Sequence, residues 1–199
     1  MIRQLSRRLA LAAIGALCLA PTLASADPQD DALVAKAVAY LDGLVAEKGA
    51  FQQTDQRGDQ VTGTFYLARP GRARFEYNPP SGLLITSDGK TVIVSDSRLK
   101  TFQRMPLSST PLGVFLADHI RLDRGAKVTR VDRSPGGFSI TARDSHALAQ
   151  GQVTLYFNET PLRLAGWAIT DARGFTTRVA LGALTPLSNA SADLFTQTQ

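Results

Sequence analysis

From residue 61 onward the chain is written in period two. Val61, Gly63, Phe65 and Leu67 alternate with Thr62, Thr64, Tyr66 and Ala68. After Pro70-Gly71, Ala73, Phe75 and Tyr77 alternate with Arg72, Arg74 and Glu76. Successive strand side chains point to opposite faces, so this pattern predicts strands and argues against an all-helical domain. Asn78-Pro79-Pro80 stops the pairing, because proline donates nothing to a ladder. Strands over 83–86 and 91–95 flank Asp88-Gly89, a dipeptide suited to the centre of a tight primed hairpin turn. Further strands are predicted over 99–104, 127–132, 138–143, 152–158, 162–169 and 175–181. Between several of them stand Pro135-Gly136-Gly137, Glu159-Thr160-Pro161 and Asp171-Ala172-Arg173-Gly174.

The sum is ten or eleven short antiparallel strands. A sheet of that size curls on itself into a barrel or half-barrel. Two helical pieces accompany it. Over 30–46, Leu33, Ala37, Tyr40, Leu41, Leu44 and Val45 recur at steps of three and four, with Gly49 as the expected stop. A short helix is expected over 111–118, with Thr110 as its N-cap and Pro111 in the first helical position. Several strands are apolar on both phases, among them Leu83-Leu84-Ile85, Val92-Ile93-Val94 and Leu155-Tyr156-Phe157. A sheet wetted on one face alternates more cleanly. Two explanations stand: helices cover parts of both faces, or an apolar cavity lies between the sheet and its helical cover.

The first 26 residues read as a cleaved secretory signal peptide. Arg3, Arg7 and Arg8 make a basic start, residues 9–19 are apolar, and Ala24-Ser25-Ala26 is a small-residue cleavage site. Residues 27–199 then form a single domain. Cys18 is the one cysteine and lies in the apolar run, so the exported chain has no disulfide and no cysteine metal site. Loss of the three leader arginines lowers the formal charge from +5 to +2, which gives little attraction for nucleic acid. The last segment, 186–199, is polar with Leu194-Phe195 as its anchor.

Catalytic signatures are sparse. Each of the two histidines, His119 and His146, stands alone among loop residues. HExxH, GxSxG and P-loop motifs do not occur. No cofactor, metal or catalytic residue is assigned.

The run GTFYLARPGRARFEYNPP followed by LLITSDGKTVIV resembles the LolA family of periplasmic outer-membrane lipoprotein carriers. Its marks are Gly63, Arg69-Pro70, Phe75 and Tyr77, Pro79-Pro80 and Ser87-Asp88-Gly89-Lys90, preceded by a Phe-x-Gln at Phe51-Gln52-Gln53. The resemblance implies a mainly β fold: an open, incomplete antiparallel β-barrel of about eleven strands, with an N-terminal helix and a short helical lid over an apolar cavity. It implies a soluble periplasmic carrier, monomeric and not an enzyme. Acylated lipoproteins are its cargo, released by an inner-membrane ABC transporter and delivered to an outer-membrane receptor where one exists. It implies that Arg69 bonds lid carbonyls, a task suited to the five donors of a rigid guanidinium fork. Arg72 and Arg74, on the phase opposite Phe75 and Tyr77, are read as solvated or as a docking surface.

A sixteen-carbon acyl chain in water is unfavourable by roughly 12 kcal/mol at about 0.8 kcal/mol per methylene, so the carrier needs an aliphatic lining. The expected lining residues are Phe65, Leu67, Phe75, Tyr77, Leu84, Ile93, Phe115, Leu155, Phe157 and Trp167. A one-residue error in phase moves a strand's side chains to the other face. Competing readings are a periplasmic binder of a free lipid, an envelope interaction protein, and a hydrolase using His119 or His146.

Overall fold

The computed structural model describes residues 28–110, 112–117, 126–144 and 151–197. Helix α1 (Pro28–Asp42) leads into β1 (Ala46–Thr54), β2 (Gln60–Ala68), β3 (Arg72–Tyr77), β4 (Leu83–Asp88), β5 (Thr91–Asp96) and β6 (Thr101–Pro106). A 3-10 turn (Leu107–Ser109) and the one-turn helix α2 (Leu112–Phe115) follow. The chain then forms β7 (Ala126–Ser134), β8 (Gly137–Asp144), β9 (Gly151–Glu159), β10 (Leu162–Asp171), β11 (Thr176–Leu181), β12 (Thr185–Pro186) and a final 3-10 turn (Ala192–Phe195).

All strands join one antiparallel sheet in the order β6-β5-β4-β3-β2-β1-β11-β10-β9-β8-β7, with β12 pairing the start of β1. The sheet is open: β6 and β7 are its two edges. Its curl follows from ring distances. Phe75 on β3 and Trp167 on β10 are four strand spacings apart, roughly 19 Å along a flat sheet. Their ring centroids are 5.9 Å apart. The face carrying them is therefore concave.

Register defines that face, since directly opposed residues share a side. Phe51 opposes Gly63 and Leu181, Phe65 opposes Phe75, Phe75 opposes Ile85, and Ile85 opposes Val94. On the other flank Val179 opposes Trp167, Trp167 opposes Leu155, and Leu155 opposes Ile140. Gly63 leaves room for the neighbouring ring: a Cβ there would stand 2.7 Å from Phe51 Cε1. The core lies here, closed by Ala37, Leu41 and Leu44 of α1 and its exit and by Phe115 and Leu116 of the α2 segment.

Three expectations need correction. Helix α1 ends at Asp42, not near Gly49. The amide of Gly43 still donates to Ala39 and Tyr40 carbonyls, but Glu47 and Lys48 already pair with Leu67 and Tyr66. The central pair of the β4–β5 hairpin is Gly89-Lys90 rather than Asp88-Gly89; Gly89 takes φ +102° and Lys90 has no positive φ. The Thr110 hydroxyl donates back to Leu107 O at 2.8 Å instead of capping α2. Pro111 and Asp118 lie outside the described residues.

The C-terminal segment is more ordered than its polarity predicts. After β12, Leu187 N donates to Ala46 O, and the chain crosses to the convex face of β3 and β4. Phe195 is 1% exposed there.

Candidate functional site

Eight of the ten expected lining residues lie on the concave side. Phe65, Leu67, Phe75 and Tyr77 come from β2 and β3, Leu155 and Phe157 from β9, Trp167 from β10, and Phe115 from α2; all are buried. Leu84 and Ile93 do not join them. Leu84 opposes Glu76 and Ser95, and Ile93 opposes Thr86 and Arg104, all of them convex positions. The true concave residues of β4 and β5 are one position away: Leu83 and Ile85, Val92 and Val94.

The concave aromatic side chains form a connected set. Phe65 and Phe75 have centroids 4.8 Å apart, Phe65 and Trp167 5.8 Å, and Phe115 and Trp167 5.7 Å. Phe51 extends the set to Phe75 at 5.6 Å and Tyr77 at 5.0 Å. Phe138 on β8 stacks on Phe157 at 5.0 Å, and Tyr40 of α1 meets Phe157 edge-on at 6.2 Å. Phe51 and Phe138 are concave-face residues that the sequence reading left out. Their signal was the alternation of Phe138 with Ile140, and the place of Phe51 opposite the glycine of the next strand. The Tyr77 hydroxyl donates to Gln53 Oε1 at 2.7 Å, and burial pushes its pKa up to about 12.

Arg69 stands at the end of this face, in the turn between β2 and β3. Its side chain is 5% exposed. Nη2 donates to Phe115 O at 2.8 Å and Nη1 to Ala117 O at 3.3 Å. The guanidinium carbon lies 5.5 Å from the centroid of the Phe115 ring, and Nη1 is 3.8 Å from Asp42 Oδ1. The Arg69 amide donates to Val45 O, and the Arg69–Pro70 peptide is cis. One guanidinium thus touches the end of α1 and the carbonyl end of the α2 segment.

The Ser-Asp-Gly-Lys stretch finishes the seat. Ser87 Oγ donates to Gly71 O at 2.6 Å, while Gly71 N donates to Leu116 O at 2.8 Å. Gly71 takes φ +75°, and a Cβ on it would lie 2.5 Å from Gly89 Cα, so the two turns touch as only glycines allow. Asp88 Oδ1 accepts from the amides of Lys90 and Thr91, at 2.8 Å each. Those bonds, the Thr91 one foremost, hold its carboxyl below the usual carboxylate range. Lys90 O accepts from Leu107 N at 2.8 Å. Among the described residues, polar contacts at its ends and the buried Leu107, Phe115 and Leu116 hold the segment from Leu107 to Ala117.

Arg72 and Arg74 point outward as expected, but the C-terminal segment half-buries them instead of leaving them solvated. Arg72 Nη1 donates to Ala190 O at 3.2 Å and its guanidinium covers the Phe195 ring at 5.4 Å. Arg74 Nη1 donates to Leu194 O at 3.3 Å.

A depression on the convex side of β7, β8 and β9 is lined by Thr141, Thr154 and Gln152 together with Arg130, Asp132 and Tyr156. Among the described residues no three His, Cys, Asp or Glu side chains sit together to hold a metal ion, and no helix is long and apolar enough to cross a membrane. His119 and His146 lie outside the described residues.

A family model described as Outer membrane lipoprotein carrier protein LolA matches residues 43–198. The outer-membrane lipoprotein carrier protein of Chromobacterium violaceum is 32% identical over 132 residues, covering 63% of this chain and 60% of that protein. A protein of the same description from Methylibium petroleiphilum is 33% identical over 123 residues, 55% of this chain and 56% of its own. The matched stretch thus spans under two thirds of either relative. The corresponding protein of Bordetella pertussis is 29% identical over 198 residues, covering 94% of this chain and 89% of its own. In structure, a DUF1329 family protein from Desulfovibrio piger aligns with TM-score 0.52 at 10% identity, covering 86% of this chain and 98% of that one, which shows a shared fold.

Proposed function

This chain belongs to the LolA family of outer membrane lipoprotein carriers, and from that premise we propose that it carries acylated lipoproteins through the periplasm on its concave face. In this reading residues 1–26 are removed on export, and residues 27–199 act as one monomeric domain. Cargo comes from an inner-membrane ABC transporter and goes to an outer-membrane receptor where there is one. The chain binds and transports; it does not catalyse.

The observation that carries the reading is the pairing of an aromatic concave face with a cover whose described C-terminal end is held by Arg69 and Gly71. Phe115 lies on Trp167, and Leu116 is fully buried beside it. An acyl chain on the same surface competes with these two side chains. Each methylene it buries contributes roughly 0.8 kcal/mol. Against it stand, among the described residues, the hydrogen bonds from the Arg69 guanidinium to Phe115 O and Ala117 O, together worth about 1.5–3 kcal/mol as bonds to a charged group. A chain of a dozen or more buried carbons displaces the cover. The cover's return helps to expel the chain when a receptor offers a better site. Arg69 is the latch of that exchange, biasing an equilibrium between a covered and a loaded state.

The test is a release and delivery assay. Spheroplasts carrying newly made triacylated lipoprotein are incubated with residues 27–199, then with outer membrane. A soluble one-to-one complex that passes its cargo on is the expected result. No release with an active transporter would overturn the reading.

A further inference from the structure

Among the described residues, ion pairs fasten α1 to three different strand ends at the covered end of the sheet. Asp30 Oδ1 is 2.9 Å from Arg133 Nη2, Lys36 Nζ is 3.5 Å from Glu159 Oε1, and Asp42 Oδ1 is 3.8 Å from Arg69 Nη1. The first two pairs join side chains that are 32–45% exposed, which makes them weak fasteners. The third differs, because Arg69 is 5% exposed, and a charge that far from water needs a paired counter-charge. Asp42 is also in an unfavourable place for its own helix. An acid in the first turn stabilises a helix, as Asp30 and Asp31 do, but one at the carbonyl end opposes the dipole; α1 has no base in its last turn to offset it. Its position is explained by what it faces rather than by the helix it ends.

We propose that Asp42 is a positioning residue of the Arg69 latch, and that through it α1 and the α2 segment open together. Nη1 is the shared point: it donates to Ala117 O of the cover and faces Asp42 Oδ1 of α1. The α2 segment covers Trp167 through Phe115, and α1 covers Phe157 through Tyr40. Coupled opening therefore uncovers both flanks of the aromatic face in one step, giving a chain a continuous surface. This inference rests on Arg69 as latch and on no particular cargo.

Amide hydrogen exchange on the cargo-free protein tests it. The Gly71 amide, bonded to Leu116 O, reports the cover, and the Gly43 amide, bonded to Ala39 and Tyr40 carbonyls, reports the end of α1. If Asp42 were only a helix residue, Asp42→Asn would relieve the dipole, leaving Gly43 unchanged or slower and Gly71 unmoved. As the latch's counter-charge, its loss speeds both amides, roughly three- to tenfold. Asp42→Glu restores protection. Lys36→Gln, on the same helix, leaves Gly71 within about twofold of the parent. In an Arg69→Leu background Asp42→Asn adds no further acceleration at Gly71, since the guanidinium it positions is gone. Unchanged or slowed exchange at Gly71 in Asp42→Asn overturns the proposal. A failure of cargo release with the exchange result intact would fall on the carrier reading instead.

Discussion

Two arginine clamps stand three residues apart in this molecule and serve opposite ends. Arg69 grips the α2 segment on the concave side; Arg72, with Arg74, grips the C-terminal segment on the convex side. The chemistry is the same. A guanidinium donates to backbone carbonyls and lies over a phenylalanine, at 5.5 Å from Phe115 and 5.4 Å from Phe195. What differs is the support around each. Beyond Phe195, Gln197 accepts from Ser95 Oγ at 2.6 Å and donates to Thr86 Oγ1 at 3.0 Å, with longer contacts to Leu84 O and Ile93 O. The cover has no such second anchor beyond Arg69 and Gly71 on its C-terminal side among the described residues. On the proposed reading the same clamp is a permanent fastening on one face and a releasable one on the other. What decides between them is how many contacts must break together.

The largest effect expected is on the convex side. Phe195→Ala lowers global stability by about 3–5 kcal/mol in denaturant unfolding, as for a fully buried aromatic side chain. Phe115→Ala costs about 1 kcal/mol globally, because the cover opens as a local unit. Equal losses would erase the contrast. Arg69→Leu comes next. It shifts the covered–loaded balance ten- to a hundredfold toward loaded protein, the effect of about 1.4–2.8 kcal/mol, so cargo is accepted but delivery falls. Arg74→Ala weakens the hold on the C-terminal segment by about 1 kcal/mol and leaves delivery unchanged; impaired delivery would mean that the two faces are coupled. The smallest effect concerns Tyr77. Its folded pKa of about 12 lies above the ordinary 10.0, so the neutral form is favoured by folding. That stability is complete below pH 10 and drains away as pH rises toward 12. Ultraviolet titration should show one of the four tyrosines ionising late; its loss in Gln53→Ala would assign part of the delay to that bond.

Most strands were legible because turn chemistry punctuates them. The phase of β3 was legible because Phe75 and Tyr77 alternate with Arg72, Arg74 and Glu76, and that of β10 because Trp167 and Ile169 alternate with Gly166, Ala168 and Thr170. The failure at Leu84 and Ile93 has a physical cause. The convex face of β4 and β5 is dry too, because Gln197 and Phe195 lie over it, so Leu83-Leu84-Ile85 and Val92-Ile93-Val94 are apolar on both phases. The end of α1 was misread because Glu47 and Lys48 are good helix formers, and pairing with β2 overrides that preference. The roles of Arg72 and Arg74 were out of reach for another reason: their partners are the backbone carbonyls of Ala190 and Leu194, and every residue has a carbonyl. Arg69 has carbonyl partners as well, and only its setting in the Arg-Pro motif marked it.

The central claim is that an acyl chain lies on the concave face beneath the Arg69 latch. Neighbours on one strand test it most directly. Phe157 points into the concave face, and Tyr156, 38% exposed, points out of the convex one. A photo-reactive phenylalanine analogue placed at each position in turn, in protein incubated with radiolabelled triacylated lipoprotein and its transporter, reads which face holds the chain. The account predicts an adduct on the acyl chain from position 157 and none from 156. An adduct from 156 with none from 157 would contradict it.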